Sequence, residues 1–154
     1  MIGTDKMTKT QATHAAEQYL YDTLLKGQKG IYGCHEVTAG VEILKKGREI
    51  IDFLTYDTQT VFRAYEIKVS KADLKSSAKL SFVGHYNYLV MPEALYDDVR
   101  GTGVLPYGVG VIIIGKGRKG LVKKASRKRL SMGQSVKLLE SLIRSLNREN
   151  IKTK

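Results

Sequence analysis

The chain has 154 residues, of which 42% are hydrophobic and 27% are charged. This length and balance predict one domain over residues 1–154 with its own hydrophobic core, and they exclude a chain that is disordered throughout. The 26 Lys and Arg residues against 15 Asp and Glu give a formal charge of +11, which favours a polyanion as partner, with nucleic acid ahead of an anionic membrane.

The first half of the chain predicts one helix and three strands. The helix begins near Thr10, after a capping-box pattern formed by Thr8 and Gln11, and ends before the glycines of 27–30. Residues 31–38 predict a first strand. Residues 48–57 and 61–70 are rich in Val, Ile, Phe and Tyr, and the short gap between them predicts a hairpin.

The second half alternates helices and strands. Residues 71–80 predict a basic helix with Ser70 as N-cap, 86–91 a strand closed by Pro92, 95–100 a short helix and 109–114 a buried strand. The basic segment 116–129 has the pattern of an edge strand flanked by basic loops. A final helix over 134–149 has Val136, Leu139, Ile143 and Leu146 at helical spacing. The expected fold class is therefore α/β, with a sheet flanked by helices.

Three charged residues interrupt the two apolar strands of the predicted hairpin. Asp52 lies in the first strand, and Glu66 and Lys68 share one face of the second. A buried charge is costly unless it is paired or bound to a metal. Carboxylate oxygens suit Mg²⁺, which usually binds one or two protein carboxylates and leaves its other positions to water and phosphate. These residues therefore predict a site for phosphodiester hydrolysis.

Asp52, thirteen intervening residues and then Glu66-Ile67-Lys68 resemble the metal-binding signature of the PD-(D/E)XK nuclease superfamily. The longer run, from Gly47 through the motif to Pro92, is similar to the MmcB-like group of DNA-repair-associated proteins within that superfamily. The similarity spans roughly residues 12 to 125. It implies a restriction-endonuclease-like αβββαβ core, with a mixed central sheet flanked by helices. The proline of the motif is absent, since Ile51 precedes Asp52.

The resemblance also implies roles for individual residues. Asp52 and Glu66 would bind Mg²⁺, with Mn²⁺ as a substitute, and the backbone carbonyl of Ile67 would complete the site. Lys68 would position the attacking water. Many superfamily members add a glutamate from the first helix, which here is Glu17, and Glu36 on the next strand is a second candidate. The sequence does not choose between them.

Basic residues outside the motif predict contacts to the phosphates of DNA. One set recurs at helical spacing after the motif, and the other comprises eight residues of 116–129, a stretch without an acidic residue. The two sets are Lys71, Lys75 and Lys79, and Lys116, Arg118, Lys119, Lys123, Lys124, Arg127, Lys128 and Arg129. A solvated helix face and a solubilising stretch are the alternatives to DNA contact.

We therefore expect a metal-dependent DNA nuclease, working in DNA repair, recombination or the processing of phage or mobile-element DNA. The competing hypothesis is a nucleic-acid-binding module that keeps the fold without cleaving, or a subunit that cuts only with partners. A single cysteine, Cys34, and the lack of a signal peptide or a long apolar run predict a soluble cytoplasmic or nucleoid-associated protein with no membrane partner. The oligomeric state stays open, with a homodimer as one option.

Overall fold

The computed structural model describes residues 8–40, 47–76 and 80–154. Within them, the helices are α1 (Lys9–Leu20), α2 (Lys71–Ser76), α3 (Glu93–Val99) and α4 (Met132–Lys152). The strands are β1 (Ile31–Ala39), β2 (Glu49–Asp57), β3 (Phe62–Ile67), β4 (Tyr86–Pro92), β5 (Gly110–Ile114) and β6 (Lys119–Lys123). A π-helical turn, Tyr21–Leu25, continues α1.

The strands form one six-stranded mixed sheet in the order β1-β2-β3-β4-β5-β6. The first three are antiparallel neighbours, β4 pairs parallel to β3, β5 pairs parallel to β4, and β6 closes the far edge antiparallel to β5. The α/β class with a mixed sheet flanked by helices is confirmed. The order α1-β1-β2-β3-α2-β4 is the αβββαβ order that the sequence predicts.

Helices cover both faces of the sheet. On one face α1 contributes Ala16 and Leu20, which form a buried cluster with Phe53, Tyr65 and Val90. On the other face α4 contributes two buried leucines to a cluster with residues of β1, β2 and β3. Its largest members are Leu138, Leu142, Ile51, Leu54 and Phe62. A third cluster joins α2 and α3 to β4 and β5.

The residues that predicted the start and the end of the first helix have the expected conformations around α1. Gln11 N–H donates to Thr8 Oγ1 at 3.1 Å, and Thr8 N–H donates to Gln11 Oε1 at 2.9 Å, so the capping box is confirmed. These two bonds satisfy backbone groups that a helix start leaves without partners. Gly27 and Gly30 follow the π-helical turn with φ values of 73° and 78°, which glycine adopts without strain.

The boundaries after the motif differ from the expectation. The strand predicted for 61–70 ends at Ile67, and its pairing with β2 ends at Tyr65. Lys68 N–H still donates to Val90 O at 2.9 Å, and the chain then turns toward α2. The helix predicted for 71–80 is described as far as Ser76. Residues 77–79, and with them Lys79, lie outside the described residues.

The final helix runs from Met132 to Lys152, longer than the predicted 134–149. The apolar residues whose spacing predicted it are mostly not the residues that it buries. The buried face consists of Leu138, Ser141, Leu142 and Ser145. Val136, Ile143 and Leu146 stay exposed on another face.

In the parts of the chain that the structure describes, no helix is both long enough and apolar enough to cross a membrane.

Candidate active site

The two motif strands separate next to Asp52 and Glu66. The last pairs of the β2–β3 ladder are Leu54 with Ala64 and Phe53 with Tyr65, so Asp52 faces Glu66 at the next position of this register. In place of a further ladder bond, Asp52 Oδ2 accepts a hydrogen bond from the N–H of Ile67 at 2.7 Å. A charge-assisted bond of this length holds the Asp52 carboxylate at the point of separation.

The alternation of side chains along β2 breaks at Asp52. Strict alternation would place Ile51 and Phe53 on one face of the sheet, yet Ile51 packs in the cluster under α4 and Phe53 in the cluster under α1. On β1, Glu36 falls between the pairs His35–Phe53 and Val37–Ile51 and has a φ of 51°. The irregularity therefore spans both strands and sits at the position of the predicted site.

Glu66 is buried, with 6% of its surface exposed. Burial, the charge of Asp52 and a hydrogen bond between the two side chains together raise the pKa of its carboxyl group to about 9, while Lys68 acts in the opposite direction. The two carboxyl groups are thus close enough to share a proton. A cation between them would take the place of that proton, because it stabilises both carboxylates in their charged form.

An open pocket of about 360 Å³ surrounds this pair. Several of the predicted site residues meet in its wall, from α1, β2 and the end of β3. Charged residues in the lining are Glu17, Asp52, Glu66, Lys68 and Asp73, and the other lining residues are Thr13, Ile50, Ile67, Val69 and Leu80. Ile67 and Val69 line the pocket together with Glu66 and Lys68. Ile67 also packs against the cluster under α1 that contains Tyr65.

The two candidates for a third carboxylate lie in different places. Glu17 reaches the pocket from α1, with 39% of its side chain exposed and Oε1 3.4 Å from His14 Nδ1. Glu36 does not line the pocket, its side chain is 66% exposed, and its carbonyl accepts a hydrogen bond from Arg148. Of the two glutamates, Glu17 is the one that the fold brings to Asp52 and Glu66.

Asp73 is a pocket residue that the sequence reasoning missed. Its Oδ2 accepts from the N–H of Val69 at 3.1 Å, and its own N–H donates to Ser70 Oγ at 3.2 Å. Ser70 thus acts as the expected cap of α2. The signal in the sequence was the spacing Ser70-Lys71-Ala72-Asp73, a capping-box pattern with aspartate in the acidic position.

The number of adjacent carboxylates limits which metal ion the pocket could hold. Among residues 8–40, 47–76 and 80–154, no three or more His, Cys, Asp or Glu side chains stand close enough together to hold a metal. Asp52 and Glu66 alone form a two-carboxylate set. Such a set fits Mg²⁺, which usually keeps several waters and binds one or two carboxylates. It does not fit zinc, which takes three or four protein ligands.

Several of the predicted basic residues make hydrogen bonds or ring contacts within the fold. Arg118 donates to Glu93 and Asp97, at 2.6 Å each. Lys123 Nζ donates to the Pro106 carbonyl at 2.9 Å, and Lys128 Nζ donates to the Phe82 carbonyl. These three side chains support the surrounding fold, and contact with DNA stays a prediction for the eight residues of the segment.

Two further cations of the segment lie over aromatic rings. The Arg127 guanidinium is 5.7 Å from the centre of the Tyr86 ring, which Arg63 also approaches to 5.1 Å, and Lys119 Nζ is 5.9 Å from the centre of the Tyr19 ring. Of the remaining predicted DNA contacts, the exposed ones are Lys71, Lys75, Lys116, Lys124 and Arg129. The edge-strand prediction is confirmed by β6.

A larger pocket, of about 490 Å³, lies between α1 and the opposite end of the sheet. Its charged residues, Asp57 and Arg63, pair with each other at 2.8 Å, and its aromatic residues Tyr65 and Tyr88 stack at 5.0 Å between ring centres. Its chemistry is mainly apolar and its charges are mutually satisfied. The smaller pocket, with two adjacent carboxyl groups and a lysine, is the better candidate for catalysis.

Comparisons with known proteins bear on the fold alone. No family model and no curated protein matches the chain. A solved structure, described as a protein of unknown function from Silicibacter pomeroyi, aligns with a TM-score of 0.67 at 14% sequence identity, covering 94% of this chain and 90% of that one. The chain is therefore similar to that protein in fold over nearly its whole length.

Proposed function

We propose that the chain is a metal-dependent nuclease that hydrolyses phosphodiester bonds in DNA. The observation that carries this proposal is the meeting of Asp52, Glu66 and Lys68 in one open pocket at the end of the sheet. Two adjacent carboxyl groups, with an ammonium group beside them, match the chemistry of phosphodiester hydrolysis. The αβββαβ order supports the same reading, as does the resemblance of the motif to the PD-(D/E)XK nucleases.

Each residue has a defined task in the proposed reaction. Asp52 and Glu66 would hold Mg²⁺, or Mn²⁺ in its place, and Glu17 lines the same pocket without forming a group of three with them that could hold a metal. When bound, the ion lowers the pKa of a coordinated water and neutralises charge on the phosphate. Lys68 would hold the water in line with the scissile bond and stabilise the negative charge that develops on the phosphoryl oxygens.

The position of Asp52 explains why the pocket can keep its geometry before metal binds. Its Oδ2 is held by the N–H of Ile67, and Ile67 belongs to the same short stretch as Glu66 and Lys68. One hydrogen bond therefore links the carboxylate of β2 to the strand that carries the other two groups. A rigidly held first carboxylate reduces the reorganisation that metal binding and catalysis would otherwise require.

DNA is the proposed substrate because the chain is strongly basic and the helix that follows the motif carries exposed lysines. Lys71 and Lys75 on α2 directly follow the motif and are exposed, and the net charge of the chain is +11. Lysine tolerates imprecise phosphate geometry, so such residues suit binding along a backbone rather than at one base. The cellular process we propose is DNA repair, recombination or the processing of phage or mobile-element DNA.

The test is cleavage of linear, nicked, branched and single-stranded DNA with Mg²⁺, with Mn²⁺ and with chelator. We expect cleavage that needs the metal and that falls by about 10²-fold or more in Asp52→Asn and in Lys68→Ala. Glu36→Gln is the matched control, because it removes a carboxylate that lies outside the pocket, and it should cleave like the wild type. Undiminished cleavage in Asp52→Asn would show that the site is wrongly assigned.

A non-cleaving nucleic-acid-binding module, or a subunit that cuts only with partners, is the second candidate. It is favoured by the lack of a group of three metal-ligating side chains in the described residues. DNA binding is therefore measured in the same samples by fluorescence anisotropy. Binding without cleavage of any substrate, under every metal condition, would support this candidate and overturn the nuclease proposal.

A further inference from the structure

The outer face of α4 carries apolar side chains that the fold does not bury. Met132, Val136, Ile143 and Leu146 are exposed by 81%, 54%, 58% and 37%. Monomeric proteins usually expose apolar residues singly, and a contiguous row of them marks a contact surface. Here the row follows one helix, whose other face already packs on the sheet through Leu138 and Leu142. We call these four residues, with Asn150 and the partly buried Leu139, which also packs against the cluster under α4, the outer stripe.

The spacing within the outer stripe is that of a two-stranded coiled coil. Successive members are separated by four, three, four, three and four positions: Met132, Val136, Leu139, Ile143, Leu146 and Asn150. This is the heptad pattern, with Val136, Ile143 and Asn150 at one core position and Met132, Leu139 and Leu146 at the other. β-Branched residues at the first position with leucine at the second favour two strands, and a single asparagine there specifies pairing.

The two acidic residues Glu140 and Glu149 of α4 form ion pairs with basic residues of the same helix. Glu140 lies between Lys137 at 3.9 Å and Arg144 at 3.1 Å, and Glu149 accepts from Arg148 at 2.7 Å and lies 3.3 Å from Lys152. A surface with paired charges does not attract DNA as the exposed lysines elsewhere do. The heptad positions that flank the core hold Glu140, Asn147 and Glu149 and no basic residue, so the apolar row rather than charge pairing favours a second copy of this helix.

We infer that the outer stripe of α4 is a self-association surface, through which two copies of this chain form a symmetric dimer. The contact is isologous, since the same residues of each copy take part. The stripe is about 27 Å long at a rise of about 1.5 Å per residue, and a helix is about 10 Å wide. This footprint is smaller than the roughly 800 Å² per partner of a standard interface, so the dimer should form at micromolar rather than nanomolar concentration.

This inference does not depend on the proposed nuclease function. The α4 face of the sheet lies opposite the face that α1 covers, and α1 contributes Glu17 to the candidate active site. Pairing through α4 therefore leaves the pocket accessible in both copies. It also leaves β6 free, because α4 packs on β1 at one edge of the sheet and β6 forms the other edge.

Sedimentation velocity over a range of protein concentrations tests the inference. The wild type should shift from the mass of one chain toward that of two as concentration rises. Ile143→Glu places a charge in the centre of the stripe and should keep the protein monomeric at least tenfold beyond the wild-type midpoint. Ile151→Glu is the matched control: Ile151 is 63% exposed on the same helix but lies off the heptad positions, so this variant should associate like the wild type.

Circular dichroism and thermal unfolding of dilute samples check that both variants keep the fold, as expected for exposed positions. A second measurement uses Ile143→Cys, which should form a disulfide-linked dimer on oxidation, whereas Ile151→Cys should do so much more slowly. The native Cys34 is buried and does not compete. A wild type that stays monomeric at every concentration, a trimer or larger assembly, or equal association of the two glutamate variants would overturn the inference.

Discussion

Replacing Glu66 by Gln in the metal-free protein should change how stability depends on pH. The folded chain holds a proton on Glu66 because burial and the neighbouring Asp52 raise its pKa to about 9, whereas the ordinary value is 4.5. Glutamine has the shape of the protonated acid and has no proton to lose. The variant therefore keeps the neutral side chain that the folded state prefers at every pH.

The size of the effect follows from the difference between the two pKa values. Since the folded-state pKa is the higher one, the stabilising contribution of the protonated Glu66 is complete below pH 4.5 and is lost as pH rises toward about 9. One pH unit in this window corresponds to about 1.4 kcal/mol. Between about pH 5 and about pH 7.5 the wild type should lose roughly 2 to 3 kcal/mol relative to Glu66→Gln.

Urea unfolding at these two pH values, in the presence of chelator, measures the difference through the midpoint and slope of each curve. Glu140→Gln is the control, because it removes a carboxylate whose side chain is 55% exposed. Its stability should follow that of the wild type across the same range. If the stabilities of wild type and Glu66→Gln stay parallel between the two pH values, Glu66 is ionised in the folded protein and its pairing with Asp52 has been misread.

Three further predictions address other parts of the chain. Leu142→Ala should lower the free energy of unfolding by about 2 to 4 kcal/mol, because this side chain is 1% exposed. The same change at its neighbour Ile143 should cost under about 1 kcal/mol, and equal costs would contradict the orientation of α4. Lys124→Ala should weaken DNA binding and reduce its salt dependence by about one ion, and Arg118→Ala, whose guanidinium is held by two carboxylates, should leave the slope of log affinity against log salt unchanged. His85→Asn should flatten the loss of stability below about pH 6.5, since burial and nearby arginines lower the pKa of this histidine; an unchanged acid limb of the stability profile would refute that.

The contacts of His85 give it a structural role. Its Nδ1 accepts from the N–H of Phe62 at 2.9 Å, and its ring stacks on that of Phe62 at 6.0 Å between centres. The bond joins β3 to the turn before β4. A histidine that accepts from a buried backbone donor is held neutral, and protonation would remove the acceptor.

Local patterns in the sequence were sufficient for most of the secondary structure. The capping box at Thr8, the strands rich in Val, Ile, Phe and Tyr, and the basic edge strand all depend on residues within a few positions of one another, and the structure confirms them. The end of β3 at Ile67 was missed. Nothing in the apolar run marks it, because the strand stops where its neighbour β2 diverges.

Part of the candidate site could also be predicted from local patterns in the sequence. Glu66 and Lys68 are two residues apart and Asp52 is one hairpin away, so their proximity follows from the turn and the strand period. The third carboxylate could not be predicted in this way, because the sequence pattern fits Glu17 and Glu36 equally well. The packing of α1 on the sheet brings Glu17 to the pocket, while the positive φ at Glu36 and the bond from Arg148 hold that residue elsewhere.

The sequence by itself determined the order of helices and strands and the Asp52, Glu66 and Lys68 cluster, because short-range periodicity controls both. Only the tertiary structure decided which distant glutamate lines the pocket of that cluster, which cations of 116–129 are held by Glu93, Asp97 and backbone carbonyls, and which face of α4 is buried. Helix α4 has two apolar faces with helical spacing, and spacing cannot rank them. The small Ser141 and Ser145 let one face approach the sheet closely, and the other, with Val136 and Ile143, is left exposed.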